Sequence, residues 1–144
     1  MKLEHLGRHI LVEFYNCNSE ILGNHEKIEK LMCEAAVRSN ATIVNSCFHK
    51  FNPYGVSGAV IIKESHLTIH TWPEYGYASV DLYTCGDLVN PWIGFNYLEK
   101  MLEAEKSEST EIARGLIEKI RKYSHANLSD ITYKPMNINE EEEN

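Results

Sequence analysis

Apolar positions along the chain hold one period for a stretch and then change it, and each change marks a new element. Arg8 to Tyr15 is apolar-rich with β-branched character and predicts a first strand. From Asn24 the period lengthens: Ile28, Leu31, Met32, Ala35 and Ala36 fall at i, i+3, i+4, i+7 and i+8, an amphipathic helix with one buried face that ends near Asn40. The period shortens again over Ala41 to Phe51, which alternates and is rich in Thr, Ile, Val and Phe. Asn52-Pro53-Tyr54-Gly55 is a turn signal, and Val56 to Lys63, Leu67 to Trp72 and Tyr77 to Cys85 form a consecutive run of strands. Asn90-Pro91 then supplies an N-cap with proline at the first helical position, opening a helix that carries Trp92, Phe95, Leu98 and Leu102 on one side. Beyond Lys106 the pattern predicts strands at Thr110 to Ala113 and Ile131 to Lys134. Helices on one face of a mostly antiparallel sheet make an α+β two-layer sandwich in a single domain, residues 1–144.

Alternation along a strand sorts side chains onto two faces. In Ser65 to Trp72, Leu67 and Ile69 point one way while His66, Thr68, His70 and Trp72 point the other; in the next strand Ala78, Val80 and Leu82 oppose Ser79, Asp81, Tyr83 and Cys85. The apolar sides suit the helices. The second face is left with His, Thr, Asp, Tyr and Cys, a concentration of reactive types that a purely structural face rarely holds.

Charge and cysteine content narrow the function. The chain has 14 Lys+Arg against 21 Asp+Glu, a net of −7, and the imbalance lies late: residues 1–64 hold 7 of each sign, residues 65–144 hold 7 basic and 14 acidic. Glu140 to Glu143 read as a solvated tail, with 137–144 expected to be disordered. No basic cluster offers a phosphate-backbone site, which argues against nucleic acid as a partner. The N-terminal residues lack a secretion signal, and no apolar run is long enough to cross a membrane. Cys17, Cys33, Cys47 and Cys85 include no Cys-x-x-Cys pair and read as free thiols of a cytoplasmic protein.

Each polar candidate also has an ordinary structural role. His66 and His70 look like a metal pair, but four strand residues at ~3.3 Å each put them ~13 Å apart, too far to share a zinc bound at ~2.1 Å per ligand; no metal site is expected. Cys85 alone would be a small buried hydrophobe, Ser65 alone a strand-edge hydroxyl, and Trp72-Pro73 a packing and turn element. Spacing alone leaves a small α+β enzyme or a binding module with a polar sheet face.

Longer motifs narrow the choice. Phe51-Asn52-Pro53-Tyr54-Gly55-Val56-Ser57-Gly58, the eleven-residue block Glu64-Ser65-His66-Leu67-Thr68-Ile69-His70-Thr71-Trp72-Pro73-Glu74, then Gly76-Tyr77 and Thr84-Cys85-Gly86, resemble the short prokaryotic S-adenosylmethionine decarboxylase proenzymes. Leu6-Gly7-Arg8-His9, Ala41-Thr42-Ile43-Val44, Thr110-Glu111 and Arg114-Gly115 extend the resemblance over most of the chain.

The resemblance implies a pyruvoyl enzyme whose cofactor is made from its own backbone, with neither metal nor pyridoxal phosphate. The cut is expected between Glu64 and Ser65, giving a β chain of residues 1–64 and an α chain of residues 65–144. The Ser65 hydroxyl attacks the Glu64 carbonyl, a base removes the serine α-proton, and elimination with loss of ammonia leaves a pyruvoyl group. By resemblance His70 is that base, a role that suits an imidazole near neutrality, and Ser57 is a second hydroxyl used in processing. The pyruvoyl ketone forms a Schiff base with the substrate amine and takes up electrons as CO2 leaves. Cys85 matches the donor that reprotonates the product carbon. Phe51 and Trp72 are expected to stack on the nucleoside, and Glu74 to accept the ribose hydroxyls. The implied product is the aminopropyl donor for spermidine synthesis, and the implied assembly is a dimer of α/β heterodimers whose open sheet faces meet.

Two alternatives stay open at the level of sequence. A pyruvoyl-dependent arginine or ornithine decarboxylase of the same fold would be favoured by loss of Phe51, Trp72 and Glu74, and all three are present. A non-catalytic regulatory homologue would be expected to lose Ser65, His70 or Cys85, and all three are kept.

Overall fold

A computed structural model describes residues 4–125. Strands β1 (His5–Tyr15), β2 (Ile43–Lys50), β3 (Val56–Ile62), β4 (Ser65–Trp72), β5 (Tyr77–Cys85) and β6 (Lys106–Leu116) form one sheet in the order β2-β3-β4-β5-β1-β6, with every ladder antiparallel. Among the described residues four helices accompany it: α1 (Ser19–Leu22), α2 (His25–Arg38), α3 (Pro91–Met101) and α4 (Ile117–Tyr123). The expected α+β sandwich is present. The expected strand at 131–134, the acidic run and the rest of 137–144 lie outside the described residues.

Both long helices begin where their caps say they should. Asn24 accepts the Lys27 N–H ahead of α2, and Asn90 accepts the Trp92 N–H ahead of Pro91 and α3. α2 buries Ile28, Leu31, Met32, Ala35 and Ala36, the stripe its period marks out. α3 buries Leu98 and, at its C-cap, Leu102, with Phe95 tilted against Phe14 of β1 at 5.6 Å. Opposite them stand Ile10, Val12, Phe14, Val56, Val60, Leu67, Ile69, Ala78, Val80 and Leu82, one face of the four inner strands. Burying one such side chain contributes on the order of 1.5–3 kcal/mol, so this face fixes the register of every strand it touches. Close approach is needed at Gly58, where a Cβ would stand 1.9 Å from the Phe48 ring.

The register carries the polar face with it. Along β4 and β5 the residues whose side chains turn from the helices are half-buried or exposed, while their neighbours Leu67, Ile69, Thr71, Ala78, Val80, Leu82 and Thr84 are buried. β6 runs the full eleven residues from Lys106 to Leu116, well beyond the expected Thr110 to Ala113, and is exposed along nearly all of them. It is held by its ladder to β1 and not by a core-facing stripe, which is why its pattern shows so little of it.

Candidate active site

The catalytic candidates divide between two ends of the sheet. At one end, β3 and β4 join through the two-residue turn Lys63-Glu64, with Ile62 paired to Ser65. This turn is held in place from the side. The Lys63 N–H donates to the Thr42 carbonyl at 3.0 Å, and the Thr42 N–H donates to the buried Glu64 carboxylate at 3.1 Å. Ser65 has φ of 132°, in the half of backbone space that L side chains rarely enter. A conformation of this kind costs on the order of 1–3 kcal/mol and persists only where its surroundings impose it. Across the strand gap, the Cys85 N–H donates to the Glu64 carbonyl oxygen at 2.8 Å. The Glu64-Ser65 peptide is therefore twisted at its serine and polarised at its carbonyl, with the Cys85 thiol on the same residue that polarises it.

At the other end, β3 places Ser57 opposite His70 of β4, and the Ser57 hydroxyl lies 2.7 Å from His70 Nδ1. The loop before β3 closes through the Phe51 N–H to the Gly55 carbonyl at 2.9 Å. It is tied down by Thr71, whose buried hydroxyl accepts the Val56 N–H at 2.9 Å and donates to the Leu22 carbonyl at 2.8 Å. Phe51 and Trp72 are 48% and 39% exposed and belong to two ring groups: Phe51 edge-on to His49 at 4.7 Å, and Trp72 tilted to His70 at 6.5 Å and stacked on Tyr77 at 5.2 Å. The Tyr77 hydroxyl donates to Glu13; burial first, and then that carboxylate, push its pKa up to about 12. Glu74 follows in the exposed single turn Pro73–Tyr75.

Within one chain these two groups do not meet. Ser65 and His70 are five residues apart on one straight strand, about 16 Å at the usual rise. The same strand arithmetic that separates His66 from His70 separates the serine from the residue expected to be its base. The fold thus joins Ser65 with the Cys85 backbone, and Ser57 with His70 and Trp72, while Phe51 stands on the loop that leads into Ser57's strand.

Between them lies a cluster without a forecast role. His9 stacks on Tyr83 at 5.1 Å, Arg114 Nη1 sits 3.0 Å from His9 Nδ1 with its guanidinium 5.2 Å from the Tyr83 ring centre, and His66 meets both rings edge-on. Burial, and then the neighbouring His9, hold the His66 pKa below its ordinary value. The Glu64 carboxylate and the Thr71 hydroxyl also escape sequence reading, since both act through backbone groups 22, 15 and 49 residues away.

Comparison with known proteins gives one consistent answer. Residues 8–115 match the family model described as S-adenosylmethionine decarboxylase. The chain is similar to the S-adenosylmethionine decarboxylase proenzyme of Thermosipho melanesiensis, 61% identical over 118 residues covering 82% of this chain and 91% of the relative. It is also similar to the proenzyme of Caldanaerobacter subterraneus, 60% identical over 114 residues covering 79% and 92%. Among solved structures it matches the adenosylmethionine decarboxylase from Aquifex aeolicus with a TM-score of 0.75 and 32% identity, over 87% of this chain and 99% of that one.

Proposed function

The chain belongs to the S-adenosylmethionine decarboxylase family, and from that premise we propose that it cuts itself between Glu64 and Ser65 and decarboxylates S-adenosylmethionine at sites shared between two copies. The observation that carries the reading is the Glu64-Ser65 turn, with Ser65 at φ 132° and the Glu64 carbonyl on the Cys85 N–H at 2.8 Å.

In processing, Ser65 Oγ bonds to the Glu64 carbonyl carbon, the C–N bond breaks, and the hydroxyl proton ends on the Ser65 nitrogen. Negative charge develops on the Glu64 oxygen. The Cys85 N–H already points at it, and removing one such donor costs on the order of 10²–10³ in rate in well-studied hydrolases. The His70 imidazole then removes the Ser65 α-proton; the Cβ–Oγ bond breaks and Glu64 departs as a carboxylate. Water displaces the nitrogen as ammonia and leaves the pyruvoyl group on the α chain. Ser57, hydrogen-bonded to His70 Nδ1, fixes the ring that does this work.

The pyruvoyl ketone supplies the electron sink for loss of CO2 from the bound amino acid. The residues around Ser65 fit such a group, since the turn is clamped by Thr42 on one side and by the Cys85 N–H on the other. The Cys85 thiol gives its proton to the carbon that has lost CO2. Phe51 and Trp72 offer exposed ring faces to a purine and a sulfonium, and Glu74 offers acceptors to two ribose hydroxyls.

A general base works within ~3 Å of the proton it takes, and His70 stands about 16 Å from its own Ser65. The His70, Phe51, Trp72 and Glu74 group therefore serves the Ser65 and Cys85 of a second copy. Two copies stacked by their open faces about a two-fold axis bring opposite ends together and cover the exposed Ile61, Trp72 and Ile112. Four free thiols fit a cytoplasmic location, and no helix among the described residues is long and apolar enough to cross a membrane.

Two measurements test the reading. Mass spectrometry of the purified protein yields pieces of 64 and 80 residues, the larger blocked at its N-terminus, and that protein releases CO2 from S-adenosylmethionine and not from arginine or ornithine. An intact chain, or release from arginine or ornithine instead, overturns it.

A further inference from the structure

Thr84 breaks the pattern of its strand face. The other core-facing residues of β5 are Ala78, Val80 and Leu82, yet Thr84, 1% exposed, buries a hydroxyl that has no hydrogen-bond partner among the described residues. Valine would fill the same space without stranding a polar atom. A buried group of this kind calls for a reason.

The register supplies one. Thr84 pairs with Ser65 on one side and Arg8 on the other. Arg8 is engaged with Glu111 at 2.6 Å. Directly opposed residues of an antiparallel pair carry Cβ atoms ~4.5–5.5 Å apart, a spacing at which Thr–Ser pairs can hydrogen-bond. Here the bond is unmade, beside a serine whose backbone is held at φ 132°.

We infer that Thr84 is a positioning residue for self-cleavage: its Oγ1 accepts the Ser65 Oγ–H and fixes the serine rotamer that turns an Oγ lone pair toward the Glu64 carbonyl carbon. The inference rests on the self-cleavage reading above. The bonds made and broken are those given there, with the hydroxyl proton ending on the Ser65 nitrogen and Thr84 leaving the step unchanged. Cys85 polarises the carbonyl, Glu64 and Thr42 hold the turn, and Thr84 aims the nucleophile.

Cell-free synthesis with a short labelling pulse, followed on denaturing gels, gives the cleavage rate of the full chain and of Thr84→Val, Thr84→Ala and Thr84→Ser. The loss of one neutral hydrogen bond slows T84V and T84A about tenfold, while T84S stays within about threefold of the parent. Calorimetry in an uncleavable Ser65→Ala background reads folding separately, and there T84V melts at or above its parent because a stranded hydroxyl has become a methyl. If T84V melts lower, the T84S to T84A rate ratio, which differs by the hydroxyl alone, decides. Cleavage of T84V at the parent rate, or T84S as slow as T84A, overturns the inference. A parent chain that stays whole overturns the self-cleavage reading instead.

Discussion

At the Ser65 end of the sheet the backbone does the preparing: a strained serine, a carbonyl held by the Cys85 N–H, and a turn clamped through Thr42. At the His70 end side chains do it, with an imidazole on a serine hydroxyl, a row of rings and an exposed carboxylate. In the proposed reading one end is cut and the other binds substrate and takes a proton. Neither is complete. Five strand residues separate them in a single chain, and the proposed reading therefore divides the labour between two copies.

Breaking the comparison at Cys85 gives the largest effect on turnover. Cys85→Ala keeps the backbone N–H and loses the thiol, so the chain still divides after Glu64, while CO2 release falls by about 10²–10⁴. Gels and a CO2 assay on the same sample separate the two roles, and failure to cleave would show that the side chain, not the N–H, prepares the turn. At the other end, Thr71→Val strands the Val56 N–H and the Leu22 carbonyl, and unfolding in denaturant is expected to lose about 3 kcal/mol with the Phe51 loop loosened. The smallest effect lies between the ends. His66 binds its proton less readily folded than unfolded, so unfolding takes up a proton as the pH falls below about 6.5; stability from this group is present above that pH and is lost on acidification. His66→Gln flattens that part of the profile in a pH series of melting curves.

Much of this was legible in the chain. The 3.6 period of α2, the Asn90-Pro91 start of α3 and the alternation through β4 and β5 each reflect burial against a single core, and burial is what periodicity records. α1 escaped because four residues carry no period, and β6 showed only its Thr110 to Ala113 portion because an edge strand exposed along nearly all its length has no apolar stripe to mark its full extent. The motif block from Glu64 to Glu74 named the candidate residues but ran two half-sites together, since it is continuous in sequence and about 16 Å long in space between Ser65 and His70. The clamp on the turn depends on Thr42 and Cys85, 22 and 21 residues from Glu64, and only the β-ladder brings them there.

Complementation tests the shared site most directly. Ser65→Ala and His70→Ala chains, each distinguishable by a tag, are expressed apart and together and run on denaturing gels. Alone, neither divides. Together, the His70→Ala chain divides, because its Ser65 meets the His70 of a Ser65→Ala copy. Division of the His70→Ala chain on its own, or no division in mixed dimers isolated by both tags, would contradict the account.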